Sequence, residues 1–190
     1  MVTFETLQSR MRDYLPHAIL SRQTLPLAPE LRLWLLDESY PQHLLDGEQI
    51  QRIMNYPAYW CFCWASGQVM ARYLLDNPEL VRGKRVLDFG CGSAVAAIAA
   101  ARAGAAAVVA CDLDADALAV SALNAELNGV ELDYSIDFFA DNQRYDVILV
   151  ADVLYDRANL PLLEQFLRRA DAVLVADSRV KDFSVAGYRH

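Results

Sequence analysis

The 190-residue sequence predicts an α/β fold: a mostly parallel, twisted sheet with helices on both faces, preceded by a helical and extended N-terminal cap. Three observations carry that expectation. From Pro57 onward, short apolar runs alternate with segments of helical periodicity. "DVILVAD" is nearly continuous in apolar residues, as in a strand covered on both faces. The run "RVLD" leads straight into a glycine loop, "FGCGSA", that opens a helix.

The elements follow in order. In "TFETLQSRMRDYL", Phe4, Leu7, Met11, Tyr14 and Leu15 recur at helical spacing, and Pro16 closes the segment. "LPLAPELRLWLLDES" reads as extended, because Pro26 and Pro29 break helix while Leu31, Leu33 and Leu35 alternate. "GEQIQRIMNY" reads as a short helix or turn. Residues 1–56 thus form an N-terminal extension and residues 57–190 a core, together one compact domain. Ser66 is placed to cap a helix whose face carries Val69, Met70, Tyr73 and Leu74, stopped by Asp76-Asn77-Pro78. "RVLD" is the first core strand, and a helix over Ser93 to Arg102 ends at Gly104. "AVVACD" is the second strand, followed by a helix from Ala115 to Leu127 with Asn128-Gly129 as its stop. "LDYSID", "DVILVAD" and "AVLVAD" supply the third, fourth and fifth strands, and "LPLLEQFLRRA" the helix before the last.

Composition excludes several classes. A net charge of −8, with Lys84 and Lys181 as the only lysines, leaves no basic face for nucleic acid. The polar start "MVTFETLQSR" does not read as a signal peptide. Arg102 and Gly104 interrupt the longest apolar stretch, so no membrane span is expected. Cys61-Phe-Cys63 lacks the two-residue gap of zinc or redox motifs, and Cys91 and Cys111 lie far away in sequence. Reduced thiols in a cytoplasmic protein without a metal site are the expectation.

The informative pattern is one of acids. Asp88, Asp112, Asp137, Asp152 and Asp177 each stand at the carboxyl end of an expected strand. In an open parallel sheet those ends share one edge, where ligands bind. A single such Asp is readily a helix cap; five of five describe an acidic crevice, suited to a ligand with positive charge and sugar hydroxyls and ill suited to pyrophosphate. A nicotinamide-binding G-x-G-x-x-G would need Gly or Ala where Val95 stands, and no second domain is present for a dehydrogenase substrate.

"Asp88-Phe-Gly90-Cys-Gly92-Ser-Ala94" resembles the first motif of the class I, seven-strand, Rossmann-like methyltransferases that use S-adenosylmethionine. The resemblance implies that Gly90 and Gly92 let backbone approach the methionine part of the cofactor while Asp88 organises the loop. It implies that Asp112, 24 residues after Asp88, accepts from both ribose hydroxyls, and that Asp137 and Phe138 meet the adenine. Trp64, Gly67 and Ala151 join the cofactor-binding residues on the same ground.

"YWCFCWASGQVMARYLLDNPELVRGKRVLDFG" and "Asp152-Val-Leu-Tyr155" resemble segments of the seven-strand lysine methyltransferases. With "LRLWLL" added, the sequence is most similar to the electron-transfer-flavoprotein β-subunit lysine methyltransferases, whose bacterial relatives are called nicotinamide N-methyltransferase-like. Ala65-Ser66-Gly67 stands where that group carries P-G-G, and Ala94 where the first motif has a third glycine. The resemblance implies in-line methyl transfer to nitrogen, with Asp152 and Tyr155 as catalytic candidates holding the incoming nitrogen. A lysine side chain of a protein substrate is the leading acceptor; a small nicotinamide-like nitrogen base, or a cofactor-binding relative without turnover, stays open. After Asp177 only 13 residues follow, too few for the antiparallel hairpin that closes such sheets. The fifth strand is therefore expected to be covered by a further segment of chain or by a second copy, giving an oligomer.

Overall fold

The computed structural model describes residues 2–41, 46–48, 51, 58–140, 142–154, 157–180 and 185–189. Helix α1 (Phe4–Tyr14) leads into an antiparallel hairpin of β1 (Leu20–Thr24) and β2 (Arg32–Leu36), which pair from Leu20 opposite Leu36 to Thr24 opposite Arg32. The remaining strands are β3 (Arg85–Phe89), β4 (Ala107–Cys111), β5 (Asp133–Ser135), β6 (Tyr145–Ala151) and β7 (Ala170–Ala176). They form one parallel sheet in the order β5-β4-β3-β6-β7. The helices between them are α2 (Ala65–Asp76), α3 (Val95–Arg102), α4 (Ala115–Leu127) and α5 (Leu162–Arg169).

Alternation along the strands sorts the core onto two faces. Val86, Val108, Ala110, Val147 and Leu149 pack with α2 and α3, through Met70, Ala71, Leu74 and the alanine-rich stretch of α3. Leu87, Val109, Ile148 and Val150 point the other way, toward Phe138 and the Leu163 and Phe166 anchors of α5. The small side chains of α3, buried from Val95 to Ala100, let it sit close between the sheet and α2. At the crossing, a Cβ on Gly67 would fall 2.9 Å from Val95 Cγ1, so a larger residue there forces the helices apart.

The N-terminal extension packs on α4. Leu7, Met11, Leu15, Leu20 and Leu36 share a buried cluster with Trp60, Ala117 and Val120. Asn124 and Asn128 of α4 satisfy the backbone of β2: Asn124 Oδ1 accepts from Trp34 N at 2.7 Å, and Asn128 accepts from Arg32 N and donates to its carbonyl. Buried Gln8 does the same for the hairpin's start, accepting from Leu20 N and donating to Ala18 O.

Most expected elements are present, α4 with the bounds read from sequence. Three details differ. Ser66 is no cap: α2 begins at Ala65 after Trp64, and the Ser66 hydroxyl is turned to Asp152. Val69 and Tyr73 lie exposed, because the buried face of α2 runs through Gly67, Met70, Ala71 and Leu74. Helix α3 starts at Val95, since Ala94 holds a left-handed conformation with φ 61°. Most of "GEQIQRIMNY" lies outside the described residues, as does Tyr155. Among the described residues no strand pairs with the outer edge of β7, no helix is long and apolar enough to cross a membrane, and no cluster could hold a metal ion.

Candidate functional site

A cavity of about 920 Å³ opens at the carboxyl ends of β3, β4, β5 and β6, a size typical of small-molecule sites. Asp88, Gly90, Gly92, Asp112, Asp137, Ala151 and Asp152 line it, with Trp64 and Gly67 at the start of α2. Every described residue that the sequence assigned to the site therefore meets in one place. Asp177 does not: its carboxylate folds back to accept from the backbone of Leu154, Arg179 and Val180.

Gly90 forms the floor. Its φ of 67° suits a residue without Cβ, and an added Cβ would fall 2.8 Å from Val153 Cγ2. Gly90 and Cys91 both donate to the carbonyl of Cys111, tying the loop to the end of β4. Asp112 completes the tie, one oxygen accepting from Gly92 N at 2.9 Å and the other from Asp114 N at 3.0 Å. Burial raises the Asp112 pKa against backbone hydrogen bonds from Asp114, Gly92 and Leu113.

Asp88 lies deeper, 2% exposed, and accepts from Ala97 N in the first turn of α3. Burial pushes its carboxyl up to about 7, the Ala97 bond opposes this, and the charge of Asp112 adds to it. Asp137 accepts from Phe139 N in a tight turn after β5. Phe138 packs edge-on against Phe89 and Phe166, with the Arg169 guanidinium 4.0 Å above its ring.

Across the cavity, Asp152 takes a left-handed conformation, φ 52°, which is strained for a residue with a side chain. Half-burial would raise its pKa, but hydrogen bonds from Ser178 and Ser66 outweigh this and lower it. Trp64 is 40% exposed, held by its indole N–H to Tyr59 O at 3.1 Å and by edge contacts with Tyr59 and Phe62.

Two cations that sequence reasoning missed also line the cavity. Arg10 reaches in from α1 and pairs with Asp116, and Arg179 stands 6.0 Å from the Trp64 ring. Neither belongs to a local motif. Trp60 is buried in the inner wall.

Residues 69–174 match the family model described as Ribosomal protein L11 methyltransferase (PrmA). The electron transfer flavoprotein beta subunit lysine methyltransferase of Mus musculus is 34% identical over 193 residues, covering 97% of this chain and 74% of the relative. Its Xenopus laevis counterpart is 38% identical over 170 residues, 84% of this chain and 67% of the relative. The chain is a methyltransferase of the PrmA family. A solved 16S rRNA methyltransferase of T. thermophilus, complexed with AdoMet and guanosine, shares the fold at TM-score 0.53 and 16% identity, over 88% of this chain and 50% of that one.

The cofactor of this methyltransferase is S-adenosylmethionine, and the residues present fit it. The methyltransferase offers side-chain-free backbone at Gly90, the carboxylate of Asp112 as acceptor for a diol, and an acidic wall for a sulfonium and an ammonium.

Proposed function

We propose that the protein transfers methyl groups to a nitrogen, the ε-amine of a lysine on a protein substrate. One observation carries the reading of the site: a single cavity has Asp112 and Asp137 on one wall and, on the opposite wall, Asp152 beside the exposed Trp64. The first wall suits the nucleoside end of the cofactor, and the second is left for the acceptor. The flavoprotein-subunit lysine methyltransferases at 34% and 38% identity support lysine over a small base.

S-adenosylmethionine supplies a methyl already activated by its sulfonium, so the protein has mainly to orient the acceptor and exclude water. Asp112 would accept from the ribose hydroxyls and Asp137 would meet the adenine, with Gly90, Gly92, Gly67 and Ala151 leaving room for the methionine part, while Asp88 holds the loop to α3. Asp152 accepts an N–H of the incoming amine and aligns its lone pair. Its lowered pKa makes it a poor base, so it orients the amine and does not deprotonate it. The amine gives up its proton to solvent before transfer, since only its neutral form has a lone pair for the methyl group. Trp64 and Tyr59 shield the approach, and Tyr155 is the second candidate to contact the acceptor. Four free cysteines accord with a reducing compartment such as the cytoplasm.

Incubation with methyl-labelled S-adenosylmethionine and cell lysate tests the reading. Label on protein that survives to N-methyl-lysine after hydrolysis is the expected result. Label confined to small nitrogen bases replaces the lysine assignment, and no transfer at all points to a cofactor-binding relative without turnover.

A further inference from the structure

Asp152 is gripped from two sides of the cavity. Ser66 N, at the start of α2, donates to Oδ2 at 2.9 Å, and Ser66 Oγ to Oδ1 at 2.7 Å. From the loop after β7, Ser178 donates to Oδ1 through its N–H at 3.1 Å and its hydroxyl at 2.7 Å. Oδ1 thus accepts three bonds and Oδ2 one, which leaves Oδ2 with a lone pair toward a further donor. The carboxylate ties together the start of α2, the end of β6 and the loop after β7. Asp152 N closes the arrangement by donating to Ala176 O at 2.9 Å.

We infer that Ser66 and Ser178 are positioning residues that hold the Asp152 carboxylate ionised and leave its Oδ2 as the acceptor for the incoming amine. The inference rests on the reading of Asp152 given above. Four donors around one carboxylate in a left-handed backbone residue exceed what helix capping asks, for which one side-chain bond suffices. Half of them come from hydroxyls, which alanine at 66 and 178 would not supply. The other charged or titratable groups near the carboxylate do not replace them. Asp88 and Asp112 line the same cavity and add no hydrogen-bond donor to it. Cys63, whose thiol burial pushes up to about 12, stays uncharged. The Asp177 carboxylate is engaged with Leu154, Arg179 and Val180 N–H groups. Arg179 is the cation on that side, and its guanidinium stands over Trp64.

The test uses Ser178, which is exposed and unimportant to the core. Carbon-13 NMR titration of the Asp152 carboxyl in the full chain, with S-adenosylhomocysteine bound, should show the midpoint rising by about one pH unit in Ser178→Ala and more in Ser66→Ala/Ser178→Ala. Ser178→Thr, which keeps the hydroxyl, should restore it. Turnover on the protein labelled in the lysate experiment should fall about tenfold in Ser178→Ala, with S-adenosylhomocysteine affinity within about threefold and recovery in Ser178→Thr. An unmoved midpoint in both alanine variants overturns the inference, as does a threonine variant that behaves like alanine. Asp152→Asn separates the two claims. If it abolishes turnover while Ser178→Ala changes nothing, the serines lose their role and Asp152 keeps its own. If Asp152→Asn turns over normally, the role of Asp152 falls and the serines' role with it.

Discussion

Asp88 carries a carboxyl on an apolar strand, and that placement links stability to pH. Its folded pKa of about 7 stands above the ordinary value of 3.8, so the folded chain keeps a proton that the unfolded chain releases. Its contribution is therefore favourable below about pH 4, declines as pH rises toward 7, and is flat beyond. Asp88→Asn removes this dependence. Relative to the parent, the variant should gain stability across pH 4 to 7 by on the order of a few kcal/mol, measured by urea unfolding at several pH values. A pH-independent difference between the two would contradict the assignment. Asp112 gives a sharper test of the cofactor wall. Its two oxygens hold Gly92 N and Asp114 N and, by the reading above, the ribose diol. Bonds to a charged acceptor are worth about 1.5–3 kcal/mol each. Asp112→Ala should therefore lower S-adenosylhomocysteine affinity at least about tenfold by calorimetry, with the fold retained; unchanged affinity would remove Asp112 from the site.

At the scale of elements, α5 depends on few anchors. Leu163 and Phe166 are its buried residues, and Phe166 meets Phe89 at 4.8 Å and Phe138 at 5.4 Å between ring centroids. Because Phe138 lines the cavity, α5 supports the site from behind. Phe166→Ala should cost about 3–5 kcal/mol of stability and weaken cofactor binding without touching a cofactor atom. Denaturant unfolding and calorimetry check both parts, and a stability loss without any binding loss would uncouple the helix from the site. Local pattern made most elements legible. The apolar run of β6, the Asn128-Gly129 stop of α4 and the glycine loop after β3 are decided by neighbours in sequence. Strand β1 was not readable: of its five residues, "LSRQT", only Leu20 is buried, too little to mark a strand against its polar neighbours. Arg10 and Ser178 escaped for another reason. Their partners Asp116 and Asp152 are 106 and 26 residues distant, so only the tertiary fold creates the pairs.

The molecule as a whole ties its N-terminal hairpin to the cofactor loop by packing, Leu31, Leu33 and Leu35 sharing a buried cluster with Cys91, Ala94 and Val95, and by one side chain that hydrogen-bonds to both. Asn124, fully buried, accepts from Trp34 N of β2 and donates to Ser93 O of the loop after β3. Ser121, one turn earlier on α4, holds the same loop by donating to Gly92 O at 3.1 Å. Arg10 adds a second route from α1 to the cavity rim through Asp116. The hairpin and the loop therefore share a support that neither sequence segment announces. Such sharing is reciprocal: the factor by which opening the hairpin weakens ligand binding is the factor by which the ligand strengthens the hairpin against opening. Amide exchange followed by mass spectrometry should show added protection of residues 20–36 when S-adenosylhomocysteine binds, some distance from any atom of the ligand. Asn124→Ala should reduce that distant protection while the glycine loop still gains its own; unchanged protection of residues 20–36 would remove Asn124 from the coupling. The hairpin is then a remote gauge of cofactor occupancy, with Asn124 as its polar linkage.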